Sequence, residues 1–190
     1  MSPLFSSLRA RIVSLFLLSI FASGGALFYA LSQFDKIGDG LNIMNTCYLP
    51  ISEEATRLDI LIFQLQREQE QLFQKNTSST EFLNAEFYIS DINEGLERSS
   101  TIIQIAQTLP FDNPPTGLET LLNKTLISKM QLENYKQSLQ YWRTNPKGGQ
   151  EKERLEKSKR QLMVAIRQLG SGISSEMSAL SQETELSRRT

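Results

Sequence analysis

Apolar residues along most of this chain recur at alternating spacings of four and three. This heptad spacing places one apolar stripe on each helix, and no stretch of comparable length alternates with the period of two that strands require. Each stripe is too narrow for an isolated stable helix, so the pattern predicts an all-α chain whose helices pack together. The four series are Ile51, Ala55, Leu58, Ile62, Leu65, Gln69, Leu72; Phe82, Ala85, Ile89, Ile92, Leu96, Ser99, Ile103, Ala106; Leu121, Thr125, Ser128, Leu132, Tyr135, Leu139, Trp142; and Leu155, Lys159, Leu162, Ile166, Leu169, Ile173, Glu176, Leu180.

Helix breakers separate the four apolar series. Pro50 precedes the first, polar residues 76–80 follow it, and proline-rich and glycine-rich segments at 110–117 and 145–149 divide the rest. Because proline lacks a backbone donor and disfavours helix in the residue before it, these segments end helices. We predict helices at about 50–75, 80–108, 116–143 and 150–186, followed by a tail at 187–190. Such short connections require an antiparallel four-helix bundle.

A run of twenty uncharged residues, 12–31, lies before the heptad series. At about 1.5 Å per residue it reaches about 30 Å, enough to cross a bilayer as one helix. Arg9 and Arg11 precede the run, and Asp35 and Asp39 follow it. The bias of positive charge toward the cytosol predicts that residues 1–11 are cytoplasmic, 12–31 span the membrane, 32–49 form a juxtamembrane helical extension, and 50–186 are exported.

A cleaved signal peptide is the alternative interpretation of the apolar run. Two early arginines precede it, and small residues such as Gly24 and Gly25 lie within it, as signal peptidase requires. The run nevertheless continues for six residues beyond them, which favours an uncleaved anchor. Small side chains also allow two membrane helices to approach closely, although ordinary lipid-facing residues explain them equally well. The candidate packing residues are Ala22, Ser23, Ala26 and Ala30.

The composition argues against catalysis in this chain. It has no histidine, which removes the commonest general base and metal ligand, and it has a single cysteine. No phosphate-binding glycine loop or nucleophile motif occurs. We therefore expect no catalytic residue, no metal and no cofactor. Cys47 is expected to be a small buried side chain, with an intermolecular crosslink as the alternative.

Charged residues are distributed unevenly along the chain. Residues 50–142 carry thirteen acidic and seven basic side chains, whereas residues 146–190 carry six acidic and nine basic ones. In the basic segment the two signs alternate, which is typical of a solvated helix face, and no aromatic residues lie among them. We therefore expect no nucleic-acid binding.

The order of these parts resembles the N-terminal input region of a bacterial membrane-bound sensor histidine kinase, and its layout is similar to the four-helix sensory domain of chemoreceptors. The residues that carry the resemblance are 8–13 at the start of the anchor, 48–51 with Ala55 and Leu58 at the entry to the first heptad series, and 173–189 at the end.

The resemblance implies a sensor domain outside the bacterial inner membrane, between two membrane helices, with a relay, a phosphoacceptor helix and an ATP-binding domain behind it. None of these later parts is in the sequence up to Thr190. The resemblance thus leads us to expect a truncated or split receptor, or a single-pass protein that shares only the front half. The expected partners are the lipid bilayer, a second copy of the chain through the bundle and membrane helix, and a separate cytoplasmic kinase or output protein.

Chemoreceptor-like bundles hold small anions with arginines, which makes Arg57, Arg67 and Arg98 candidate ligand contacts. Each also has acidic neighbours three or four residues away in its own helix, and a solvated intrahelical pair is the simpler interpretation. Three aromatic residues are candidates for the floor of a pocket, with ordinary packing as the alternative. They are Tyr135, Tyr141 and Trp142.

A different function for the same helices is a single-pass membrane-tethered adaptor or structural coiled coil. It would bind a partner helix without sensing a ligand. Polar residues at apolar slots would then specify register or partner, as buried polar groups do in coiled coils. These slots hold Gln69, Thr125, Ser128, Lys159 and Glu176. An exported enzyme is the third possibility, disfavoured by the missing acid-base and metal residues.

Overall fold

The computed structural model describes residues 8–74, 79–109, 117–144 and 149–189, and no strand occurs among them. The prediction of an all-α chain is confirmed. The helices are α1 (Leu8–Ile43), α2 (Leu49–Gln74), α3 (Ser79–Thr108), α4 (Gly117–Thr144) and α5 (Gly149–Arg189), with one π-helical turn, Met44–Tyr48, between α1 and α2.

The π-helical turn joins α1 to α2 without a loop. The backbone N–H of Leu49 donates to the carbonyl of Met44, five residues earlier. Pro50 follows directly, and a proline at this place has no N–H to donate while its ring crowds the carbonyl four residues before it. A wider turn relieves that crowding, as π-bulges do within other helices. Residues 8–74 therefore form one helical rod with a single irregular turn.

Helices α2 to α5 enclose a common hydrophobic core. Helix α2 packs against α3 and α5, and α4 packs against the same two neighbours. The apolar members of the heptad series are buried, apart from the half-buried Leu180. The core extends to Ile43, the last residue of α1, and into the π-helical turn, where Cys47 and Tyr48 are buried. Burial of the stripes thus couples the end of α1 to the packed helices.

Polar residues in the buried stripes bond to their own helices. Ser99 Oγ donates to the carbonyl of Gly95 at 2.9 Å, and Thr125 Oγ1 donates to the carbonyl of Leu121 at 2.9 Å. Ser128 makes the same bond to Lys124. A hydroxyl bonded four residues back needs no partner on another helix. These three slots are therefore satisfied locally and do not select a neighbour.

Helix α1 has the properties of a membrane span. Residues Ile12–Ser32 have a mean hydropathy of 2.0, and none of them is buried within the protein. Twenty-one residues in a helix reach about 30 Å, which matches the hydrocarbon thickness of a bilayer. The helix is therefore long and apolar enough to cross a membrane once. Its predicted packing residues Ala22, Ser23, Ala26 and Ala30 are all exposed.

Candidate functional site

The end of the core nearest α1 is built around the π-helical turn. Helices α1, α2, α3 and α5 all contact it. Tyr48 is completely buried there, and its hydroxyl has no hydrogen-bond partner among the described residues. Burial raises the pKa of Tyr48 well above its usual range, and the nearby charge of Glu176 raises it further. The phenol therefore stays protonated at physiological pH.

Glu176 lies where α5 passes the first residue of α4. A side chain at Gly117 would overlap with the Glu176 carboxylate, so glycine leaves the space which that carboxylate occupies. The N-terminus of a helix carries partial positive charge and favours a carboxylate nearby. This interaction accounts for an acidic residue in a slot that the heptad pattern assigns to an apolar one.

Cys47 is fully buried in the same region. Burial raises its pKa to about 11. The thiol therefore remains protonated near neutral pH and is a poor nucleophile. Of the two roles considered for this residue, burial favours the small packed side chain over the crosslink.

We expect Cys47 to react with N-ethylmaleimide at least about 100-fold more slowly in the native chain than in the urea-unfolded chain at pH 8. With a pKa of about 11, only about one thiol in 1000 is ionised at that pH, and the side chain is also shielded. Mass spectrometry after timed quenching measures the rate. Equal rates in the two states, or a disulfide-linked dimer on a non-reducing gel, would contradict the assignment.

A buried polar cluster joins three helices farther from α1. Tyr135 Oη donates to Gln69 Oε1 at 3.1 Å, and Gln69 Nε2 donates to Glu156 Oε1 at 3.2 Å. Lys159 Nζ completes the chain of contacts with a 3.2 Å bond to the Glu156 carboxylate. Burial, and secondarily the charge of Glu156, keeps the pKa of Tyr135 well above its usual range. We call these four residues the polar cluster.

The polar cluster explains two of the slots that the heptad pattern left without an apolar residue. Gln69 is completely buried and Lys159 is 8% exposed, yet each reaches a partner on the same network. Buried polar groups of this kind are costly unless they are hydrogen-bonded. Glu156 was not a candidate from the sequence, since it flanks the stripe. Its spacing of three from Lys159 was the available signal.

The three candidate ligand arginines are in different environments. Arg98 donates to both carboxylate oxygens of Glu54, at 3.0 and 3.1 Å, and also pairs with Glu94. The hydrogen bonds to Glu54 raise the pKa of Arg98 further above its already high value. Arg57 and Arg67 are exposed on α2, and neither forms an ion pair with another described residue. The structure does not bring the three together.

The three candidate aromatic residues also lie in different environments and do not line one pocket. Tyr135 belongs to the polar cluster, and Trp142 packs between Phe73 and Phe82 with ring centroids 5.2 and 5.5 Å away. Tyr141 is exposed, beneath the guanidinium of Arg154. No group of three His, Cys, Asp or Glu side chains within the described ranges is placed to hold a metal ion.

Comparison with known proteins assigns no family to the chain: no family model matches it, and no match was found among the curated proteins or the solved structures.

Proposed function

We propose that this chain is the membrane-anchored, extracytoplasmic sensor module of a two-component-type signalling receptor, with no catalysis in its own residues. The observation that carries the proposal is the uninterrupted helical path from α1 through the π-helical turn into α2. A span that continues into a packed core cannot rotate or slide without disturbing that core. Small shifts of packed helices are a common means of transmitting signals between sites.

We further propose that α2 to α5 form an antiparallel four-helix bundle standing on the membrane. Asn84 near the start of α3 bonds to Glu68 near the end of α2, while Arg98 and Glu54 join their opposite ends. Between α3 and α4, Lys129 pairs with Glu97 at 2.9 Å. Helix α5 returns to contact both α1 and the π-helical turn. These contacts support a bundle in which α5 ends at the membrane side.

The proposed partners follow from this arrangement. The span lies in a lipid bilayer, taken to be the bacterial inner membrane, with residues 1–11 in the cytosol. A second copy would pack through the span and the bundle, and a separate cytoplasmic kinase or output protein would receive the signal. Arg57 and Arg67 remain candidate ligand contacts, because both are exposed and lack an ion-pair partner within the described helices.

Reporter fusions at the C-terminus test the orientation. Alkaline phosphatase fused after residue 190 is expected to be active, because it folds with its disulfides only outside the cytosol, while green fluorescent protein at the same place is expected to be dark. A matched pair of fusions to a chain without residues 1–32 should reverse both signals. Fluorescence without phosphatase activity in the full chain would place the helices in the cytosol and overturn the proposal.

The second candidate function is a membrane-tethered adaptor. Leu126, Ile127 and Met130 are exposed together on α4, which favours a partner-binding face. Hydrogen exchange of the full chain in nanodiscs separates the two functions. A sensor bundle should protect amides throughout α2 to α5 without any partner. An adaptor that becomes ordered only when it binds its partner should show rapid amide exchange in the same helices.

A further inference from the structure

Helices α3 and α4 border a groove of about 330 Å³ on the side of the core away from α1. This volume falls at the lower end of the range for small-molecule sites. Its apolar lining comes from the buried residues Phe82, Ile89, Leu132 and Leu139. The groove therefore offers an apolar floor that no described helix covers.

One end of the groove carries an ion pair that is only weakly held. Arg143 Nη1 lies 3.4 Å from Glu86 Oε1, and both side chains are about half exposed, at 58% and 49%. Exposed pairs of this kind contribute little and exchange readily. The Arg143 guanidinium also lies over the Phe82 ring, 5.4 Å from its centroid. The carboxylate and the aromatic face thus already hold a cation between them, and a ligand ammonium group can take the place of this weakly held guanidinium.

The other end of the groove presents a cation. Lys136 lies seven residues before Arg143 on α4, which places it about 10 Å farther along the groove. Its contact with Glu133 is 3.8 Å, too long for a hydrogen bond. The ammonium group therefore retains donors for a ligand carboxylate. Neutral side chains line the groove as well, namely Ser90, Asn93 and Gln140.

We infer that this groove binds a short apolar peptide of two or three residues, with its ammonium group at Glu86 and its carboxylate at Lys136. Three extended residues span about 10 Å, the separation of the two charged ends. The neutral polar side chains match peptide N–H and C=O groups, and the buried floor matches apolar side chains. Binding of the peptide is inferred from the groove alone. Its role as the stimulus rests on the proposed sensor function.

The fluorescence of the sole tryptophan provides a direct readout. Trp142 is buried and stacks on Phe82, whose ring lines the groove. Titrating Ala-Leu-Ala into the full chain in nanodiscs should change its emission saturably, with a Kd below about 1 mM. Glu86→Gln and Lys136→Gln should each weaken binding about five- to tenfold, because each removes one charged contact to the peptide. Glu53→Gln and Lys157→Gln, exposed outside the groove, are the matched controls and should bind as the parent chain does.

Blocked peptides identify which end binds where. N-acetyl-Ala-Leu-Ala lacks the ammonium group, so it should bind about five- to tenfold more weakly and become insensitive to Glu86→Gln while still responding to Lys136→Gln. The C-terminal amide should show the reverse. A peptide that binds equally well in blocked and free form, or with an affinity that neither groove variant alters, would overturn the inference. So would the absence of a saturable change up to about 10 mM, well above the weakest expected Kd.

The peptide titration and the reporter fusions test the groove and the proposed function separately. Peptide binding with a cytosolic C-terminus in the reporter fusions would overturn the sensor orientation and leave the groove assignment intact. An exported C-terminus without peptide binding would do the opposite.

Discussion

Replacing Leu18 and Phe21 together with arginine is expected to keep the chain out of the membrane. Both side chains are exposed on α1, and Phe21 is near the middle of the span. An arginine at the centre of a membrane helix costs about 2.5 to 3.5 kcal/mol of insertion free energy, and the cost falls toward the ends. The pair should therefore cost about 5 kcal/mol, enough to exclude most molecules from the bilayer.

Alkaline extraction of the membrane fraction measures this effect. The parent chain should remain in the pellet, and the double arginine variant should move to the supernatant. Phe63→Arg with Phe87→Arg is the matched control, because both phenylalanines are exposed on α2 and α3 outside the span. A double variant that still resists extraction would show that α1 does not depend on lipid for its environment.

The mass of the parent chain, recovered from whole cells rather than from the membrane fraction alone, decides between an uncleaved anchor and a cleaved signal peptide. An uncleaved anchor retains the full 21.6 kDa. Cleavage after the small residues would remove about 25 residues, since that is where a peptidase would act. A shortened chain would contradict the membrane anchor even if the helices beyond it are exported.

Glu156→Ala is expected to destabilise the packed helices by about 2 to 3 kcal/mol. The change removes the carboxylate that accepts bonds from both Gln69 and Lys159. A buried ammonium without its partner carries a large desolvation cost, and a buried amide donor without an acceptor adds to it. Because the Glu156 side chain is itself one-third exposed, the loss should stay below that of a fully buried ion pair.

Chemical unfolding followed by circular dichroism measures the change in the free energy of unfolding. Adding Lys159→Met to Glu156→Ala should recover most of the loss, since the methionine fills the same space without a charge. Glu153→Ala, exposed on the same helix, should change stability by less than about 0.5 kcal/mol. If the double variant were no more stable than Glu156→Ala alone, the unpaired lysine would not be the cause.

Much of the fold is already determined by local patterns. The spacing of Leu58, Ile92 and Leu139 predicts their burial, because a helix turns about 100° per residue and brings such positions to one face. All three are buried. The end of α3 at Thr108, two residues before Pro110, follows from the geometry of proline itself, whereas Pro50 is accommodated by the π-helical turn and does not interrupt the helical rod. No partner helix is needed to derive either result.

The candidate sites were less accessible from the sequence. Arg98 was expected to pair with an acidic residue in its own helix, and Glu94 does so. Its bidentate contact with Glu54 joins residues 44 positions apart. Spacing rules within a helix carry no information about a neighbour across the core. The groove between α3 and α4 was missed for the same reason.

The polar residues in the heptad slots divide into those explained by their own helix and those explained only by packing between helices. Thr125 and Ser128 are satisfied within α4, so their sequence context alone accounts for them. Gln69 depends on α4 and α5 being packed at one register with α2, whereas Lys159 reaches Glu156 within α5. By itself the sequence determined the helices, their buried faces and the apolar span, because these arise from local periodicity. Only the tertiary structure decided which polar groups meet, because hydrogen bonds between helices require a relative placement that no single helix contains.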